Sequence, residues 1–283
     1  MTQLFSLDPA MPVLLRPDGV VQIGWDPRRA VLVRPPGGLT AAALAGVLQT
    51  MRTSTDLDRL YRDAARHGPV DAAEFAALVT ALVTAGVARP GASARPSRST
   101  AIRVHGKGPL TDRLVEGLGG TGVRVSHSSQ PHAVMRSERT DLVVLSDYLV
   151  ADPRVVRELH SGAVPHLQVR VRDGTGLVGP LVIPGVTSCL MCADLHRSDR
   201  DAAWPVLAAQ LRDTVGVADH CTVLATAALA LGQVRAVLSG VRAAGSRAPA
   251  PAAPQTLSTT LEFDVGAGSI VTRRWPRHPR CPC

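Results

Sequence analysis

The sequence predicts an α/β protein: a parallel sheet flanked by helices, preceded by a smaller α+β unit. Three observations predict it. "TAIRVHGKGPLTDRLVEGLGGTGVRVSH" (100–127) reads as strand, glycine turn, helix, glycine turn, strand. The alternation continues through "TDLVVLSDYL" (140–149), "DPRVVRELHSG" (152–162) and "PHLQVRVRDG" (165–174). Alternating elements of this kind place helices on both faces of a parallel sheet. Before residue 90 the order is different, with short β-rich runs first and helices after them.

The first 90 residues open with "PVLLR" (12–16), "GVVQIGW" (19–25) and "RAVLVRP" (29–35), separated by the turns "PDG" and "DPRR". These read as three strands. Thr40 is placed to cap a first helix, "AAALAGVLQTM", and "STDLDRLYRDAARHG" makes a second that ends at Gly68. The third, "DAAEFAALVTALVTAGVA", opens with Asp71 and Glu74 at capping-box spacing and stops at Gly86. Phe75, Leu78, Val79, Leu82 and Val83 form one apolar stripe along it, which is simplest as core. Three strands and three helices predict a small winged-helix domain over 1–90. A linker follows over 91–100, in the stretch "RPGASARPSRST". Residues 101–283 then form a Rossmann-like domain, with "AAGSRAPAPAAPQ" (243–255) as a loop inside it.

The 283 residues carry a net charge of +8, 45% apolar residues and 3% aromatics. The positive charge is scattered arginine, with Lys107 the single lysine. A nucleic-acid surface concentrates its basic residues or interleaves aromatics, so DNA and RNA are not the expected partners, and an acidic peptide fits at least as well. No uncharged apolar run of bilayer length is present, and the first residues lack a basic segment ahead of an apolar one. A cytoplasmic protein without a membrane partner is expected.

Cys189 and Cys192 stand in "SCLMC", and Cys281 and Cys283 in the closing "RRWPRHPRCPC". Two close thiol pairs suit tetrahedral Zn²⁺, each pair chelating from one turn. Four protein ligands leave no open coordination position, so such a zinc is structural. The competing reading is a redox C-x-x-C, but that motif belongs at the start of a helix early in a thioredoxin-like fold. Zinc would also explain a thiol at the last residue, since a metal ties the tail to the body of the domain. Cys221, in "ADHCTVLATAALALGQVRAVL", is expected to be a buried core thiol.

"GPLVIPGVTSCLMC" resembles the G-P-x-x-x-P-G-x-x-x-C-x-x-C segment of the ubiquitin-activating-enzyme-like (E1-like, ThiF/MoeB-like) superfamily. The apolar helix after it and the cysteine-rich ending resemble one branch, the E1-like partners of azole-forming cyclodehydratases. Those enzymes make thiazole/oxazole-modified microcins (TOMMs). The partners carry an N-terminal winged-helix domain of PqqD-like fold that recognises peptides, and the likeness spans nearly the whole chain. It implies zinc on Cys189, Cys192, Cys281 and Cys283, a Rossmann-like E1-superfamily domain, and a homodimer. It further implies a role in modifying ribosomally made peptides (RiPPs, bacteriocins): binding a precursor leader while a YcaO-type cyclodehydratase performs the ATP-dependent chemistry.

The nucleotide turn is degenerate. A phosphate-binding turn uses three glycines, for the turn, for phosphate approach and for helix–strand packing. "HGKGPLTD" supplies Gly106 and Gly108, with Thr111 in the third place and Pro109 within the loop. Asp147 stands where adenylating relatives keep an Mg²⁺-binding Asp, but Tyr148 replaces the following Asn, and Asp152 stands where an Arg would lie. ATP binding is therefore expected to be lost. Neither a Ser–His–Asp set, paired carboxylates nor H-E-x-x-H is present in a supporting context, so no catalytic residue is assigned.

A leader would add a strand to the "AVLVR" edge (30–34) against the third helix. Val31, Val33 and Arg34 on the strand, with Phe75 and Val79 on the helix, are the candidate contacts. Val31 and Val33 facing the core would leave only the strand backbone available. The rival readings are an ATP-dependent adenylyltransferase that activates a peptide or sulfur-carrier C-terminal carboxylate, and a winged-helix regulator of duplex DNA.

Overall fold

The computed structural model describes residues 3–91, 99–130, 140–243 and 252–283. Most of the stretch read as a linker lies outside them, as does 244–251 of the Ala/Pro loop. The chain divides into two compact units, Met1–Ser97 and Arg98–Cys283.

The first unit has two three-stranded antiparallel sheets. In one, β1 (Leu4–Leu7) lies between β5 (Thr55–Asp56) and β6 (Ala88–Pro90). In the other, β3 (Val21–Ile23) is central, with β2 (Val13–Leu15) and β4 (Val31–Val33) at its edges. This second sheet consists of the three anticipated strands. The first sheet is not among the expected elements: its strands are very short and one ends in proline, so they carry little period-2 signal. Three helices follow the anticipated spans: α1 (Ala41–Thr50), α2 (Leu57–Ala65) and α3 (Ala72–Thr84). Thr40, Asp56 and Asp71 cap them, accepting the N–H groups of Ala43, Arg59 and Glu74 at 3.1, 2.8 and 2.9 Å. Each such cap contributes about 1 kcal/mol. Leu44, Leu48, Leu60, Phe75 and Leu82 from the helices pack with Val21, Ile23 and Val33 into one core.

The second unit is built on a seven-stranded sheet in the order β13-β12-β11-β10-β9-β7-β8. β7 (Ala101–His105), β8 (Arg124–Ser128), β9 (Leu142–Ser146) and β10 (His166–Arg172) run parallel. The all-parallel expectation fails at "RDGT". Asp173 and Gly174 both take positive φ, 51° and 75°, and turn the chain directly into antiparallel β11 (Thr175–Val182). Asp-Gly with both residues left-handed is a hairpin turn, so a crossover helix has no room to form. β12 (Thr259–Asp264) and β13 (Ser269–Arg274) extend the antiparallel side.

The faces of the sheet sort by strand alternation. Val104, Val144 and Val169 face one way, and meet Leu110 and Leu114 of α4 (Pro109–Leu118) and Val234 of α8 (His220–Ala243). Val143, Leu145 and Val182 face the other way, and meet Val155 and Leu159 of α5 (Pro153–Ser161) and Leu190 of α6 (Leu190–Arg200). Between α6 and α8 lies α7 (Trp204–Leu211), which has no buried residue. By length and composition α8 could cross a membrane. Val223, Ala227, Ala230, Val234 and Leu238 on it are instead packed into the sheet core.

Candidate functional site

Cys189 is the N-cap residue of α6, and Cys192 lies in its first turn. The C-terminal tail brings Cys281 and Cys283 to them. Sulfur pairs stand at 3.8 Å (Cys189–Cys192), 3.5 Å (Cys189–Cys281) and 3.4 Å (Cys192–Cys283), and all four sulfurs lie within 4.8 Å of one another. These spacings are far beyond the roughly 2.05 Å of a disulfide. They approach the roughly 3.8 Å edge of a tetrahedron with 2.3 Å metal–sulfur bonds. The four thiols therefore form a cluster that can hold a metal ion.

Burial pushes the Cys189 thiol up, and burial with the Cys192 hydrogen bond takes Cys283 to about 11. At Cys192 burial is outweighed by hydrogen bonds, foremost from the His278 backbone N–H at 3.4 Å, and its thiol falls below its ordinary value. The tail is tied down beyond the thiols as well. The Ser188 hydroxyl donates to the Trp275 carbonyl at 2.6 Å, and the Trp275 indole N–H to the Thr260 hydroxyl at 2.9 Å. His278 is not one of the four: its Nε2 pairs with Asp199 at 2.8 Å. Cys221, expected in the core, is exposed at the start of α8. The apolar face of that helix begins at Val223, leaving Cys221 on the other side.

The glycine turn leads into α4. Gly108 is its N-cap residue at φ 147°, and Pro109 fills the first helical position. A Cβ on Gly106 would strike the Ser146 carbonyl, and one on Gly108 would come within 2.8 Å of Asp147 Oδ1. Asp147 is buried and left-handed, at φ 67°. Its carboxylate accepts the backbone N–H groups of Leu110 at 3.1 Å and Thr111 at 2.9 Å, and the Thr111 hydroxyl at 2.5 Å. That hydroxyl also lies 2.7 Å from Ser146 Oγ. The exposed N–H groups at a helix N-terminus are the natural seat of a phosphate. Here an internal carboxylate occupies them. Thr111, read from sequence only as a missing third glycine, supplies the hydroxyl that holds it.

The peptide candidates divide. Val33, Phe75 and Val79 are 5%, 1% and 1% exposed and belong to the core of the first unit. They cannot line an open groove, which corrects the expectation for these three; Leu82 of the same stripe is buried with them, and Leu78 and Val83 are partly buried against that core. Val31 is partly buried and packs on the same core. The outward residues of edge strand β4 are Leu32, 57% exposed, and its neighbour beyond the strand, Arg34.

A seven-stranded mixed sheet with helices on both faces and a four-thiol cluster at the tail is consistent with the Rossmann-like fold of E1-like proteins. No family model and no curated protein sequence matches the chain. Solved structures do. A heterocyclase in complex with substrate and cofactor is similar at TM-score 0.69 and 14% identity, over 99% of this chain and 39% of that one. The heterocyclase TruD is similar at 0.67 and 16%, over 99% and 42%. E. coli MccB with ATP is similar at 0.58 and 12%, over 99% of each chain. The chain thus spans about two fifths of either heterocyclase and the full length of MccB. At these identities the likeness is one of fold.

Proposed function

We propose that this chain is a scaffold for azoline/azole formation on ribosomally made peptides. It binds the leader of a precursor peptide through its first unit and presents the peptide to a YcaO-type cyclodehydratase. The observation that carries this reading is the fit of the whole chain to about two fifths of each of two heterocyclase chains. In this reading the first unit is a winged-helix recognition domain whose β4 edge pairs with the leader backbone, with Arg34 favouring acidic leaders. Cys189, Cys192, Cys281 and Cys283 hold a structural zinc that fastens the tail to α6, and two copies pair as a homodimer. ATP is not used by this chain, because Asp147 already satisfies the amides that would meet a phosphate. Titration of the zinc-loaded protein with a synthetic leader peptide and, separately, with Mg-ATP tests the reading: binding of the first and silence with the second are expected. No leader binding would overturn it.

A second reading is an ATP-dependent adenylyltransferase, favoured by the full-length likeness to MccB, whose structures hold ATP and, with MccA, AMPCPP. It requires Asp147 to leave the α4 N-terminus and take a magnesium ion. Peptide-dependent exchange of pyrophosphate into ATP would establish it in place of the scaffold.

A further inference from the structure

β10 is the unusual strand of the second unit. A strand covered on both faces normally reads as a continuous apolar run. β10 instead alternates as "HLQVRVR". Leu167, Val169 and Val171 enter the core beneath α8. His166, Gln168 and Arg170 point to the opposite face, yet are only 0%, 5% and 6% exposed. Among the described residues, neither the Arg170 guanidinium nor the Gln168 amide has a hydrogen-bond or ion-pair partner. Burying an unpaired charge is costly, and a protein keeps one where something else completes it.

Both side chains line a cavity of about 140 Å³ between β10, α5 and α6, whose wall also includes apolar Leu149, Val156, Met191 and Trp204 and charged Arg157, Asp194 and Arg197. Arg170 also opens onto an adjoining cleft of about 270 Å³, shared with Arg197, Arg200 and Trp275. Arg197 is already held, by Asp194 at 2.8 Å and by the rings of Trp204 and Trp275 at 5.2 and 4.6 Å. Arg273 is held by Glu262 at 2.8 Å. Arg170 lies at the junction of the two spaces; Asp194 and Glu262 act on it electrostatically, but among the described residues neither makes a hydrogen bond or ion pair with it. Burial, and to a lesser degree the neighbouring Arg197, press its pKa down to about 9, while Asp194 and Glu262 oppose the shift.

We propose that Arg170 and Gln168 bind a ligand carboxylate in this cavity, with the apolar or aromatic body of the ligand resting on Leu149, Val156 and Trp204. A guanidinium gives a carboxylate two parallel N–H donors, and the Gln168 amide adds a third. The apolar surface of Leu149, Val156 and Trp204 favours an acid carried on a hydrocarbon group over a bare inorganic anion, and Asp194, held by Arg197, leaves the guanidinium of Arg170 to the ligand. This site is separate from the β4 edge and from the α4 turn, and it stands whether or not the first unit binds a leader.

The test uses the full-length, zinc-loaded protein carrying Trp25→Phe. Trp25 is exposed in the first unit, so its removal leaves Trp204 and Trp275 as the fluorescent reporters. The probes are N-acetyl-leucine, its amide, and inorganic phosphate. The acid should shift the tryptophan emission saturably, and the amide and phosphate should not. Arg170→Met should weaken binding of the acid about 10- to 100-fold, the range for a charged hydrogen bond. It should also raise the melting temperature of the ligand-free protein, because it removes a buried charge that no hydrogen bond or ion pair satisfies. Arg170→Lys, which keeps the charge and loses the fork, should bind with intermediate affinity. Equal binding of acid and amide, stronger binding of phosphate, no response to the acid, or undiminished binding by Arg170→Met would each overturn the proposal.

Discussion

The backbone N–H of Thr111 donates to the Asp147 carboxylate at 2.9 Å, and the Thr111 hydroxyl donates to the same oxygen. The end of β9 thereby caps α4 from 36 residues away in sequence. The usual capping position is held by Gly108, which has no side chain to do this. The two glycines of the turn admit this arrangement: a Cβ at either would collide with Ser146 or Asp147. A turn whose glycines once gave room to a phosphate would look the same in sequence.

Asp147→Gly should reopen the turn. The substitution relieves a left-handed residue and removes the carboxylate, leaving the Leu110 and Thr111 amides free. Losing the cap should cost about 1–2 kcal/mol. In exchange, the variant should be stabilised by millimolar phosphate or Mg-ATP in thermal melts, while the parent protein is not. An equal response from both proteins would mean that Asp147 does not govern the turn.

The thiol cluster predicts a metal-dependent tail. Removing zinc with a chelator, or replacing Cys192 with Ser, should lower the melting temperature and expose the last residues to carboxypeptidase. Thiol titration of the native zinc-loaded protein should find Cys221 reactive and the other four slow, since Cys221 alone is exposed. After unfolding in chelator all five should react. Fast reaction of the four in the native, metal-loaded state would show that they hold nothing.

What could be read from the residues differs between the halves of the chain. The parallel strands announced themselves because Val143, Val144 and Leu145 form an apolar run buried on both faces. The two cysteine pairs were legible because a chelating pair is close in sequence as well as in space. The join of the pairs, across some ninety residues, rested on their chemistry alone. The hairpin at Asp173–Gly174 has a local signal in the Asp-Gly dipeptide, but the strand–helix alternation before it outweighs so short a cue, and the antiparallel half of the sheet is hidden with it. "TLEFD" and "SIVTRR" around "VGAG" carried a similar signal for β12 and β13. The partners of Asp147 were not legible: nothing local says that a carboxylate at a strand end will turn back onto a helix two elements earlier. The role of Phe75 and Val79 was ambiguous for a related reason. An apolar stripe looks the same whether it faces a core or a peptide.

The exposed edge of the first unit predicts where a leader contact is sensitive. Leu32 and Arg34 project outward from β4, while Val33 pairs with Val21 inside the sheet. Arg34→Glu should weaken binding of an acidic leader by about tenfold and steepen with falling salt, without a change in melting temperature. Val33→Pro should abolish leader binding, but by loosening the core of the first unit as well as blocking the edge, so its melting temperature should fall. A calorimetric titration in which Arg34→Glu binds as tightly as the parent would remove this edge from the interface.

The pH dependence of stability should trace to His166. Its ring is fully buried, its Nδ1 lies 3.0 Å from the Val164 carbonyl, and its Nε2 has no partner among the described residues. Burial takes its pKa from 6.5 down to about 4, and burial does the same to His105. Between those two pH values the unfolded chain binds a proton at each site that the folded chain refuses. Stability therefore rises with pH across this window. It is complete above pH 6.5 and is lost progressively as the pH falls towards 4. For His166 a shift of this size corresponds to about 3 kcal/mol at the acidic end. His166→Leu fills the same space with no titrating group. Relative to the parent, it should lose about 1 kcal/mol at neutral pH with the Val164 hydrogen bond, and should lose less on acidification. Urea unfolding of both zinc-loaded proteins across the window isolates the difference, since the thiol cluster titrates alike in each. Parallel curves for the two proteins would show that protonation of His166 does not drive the acid instability.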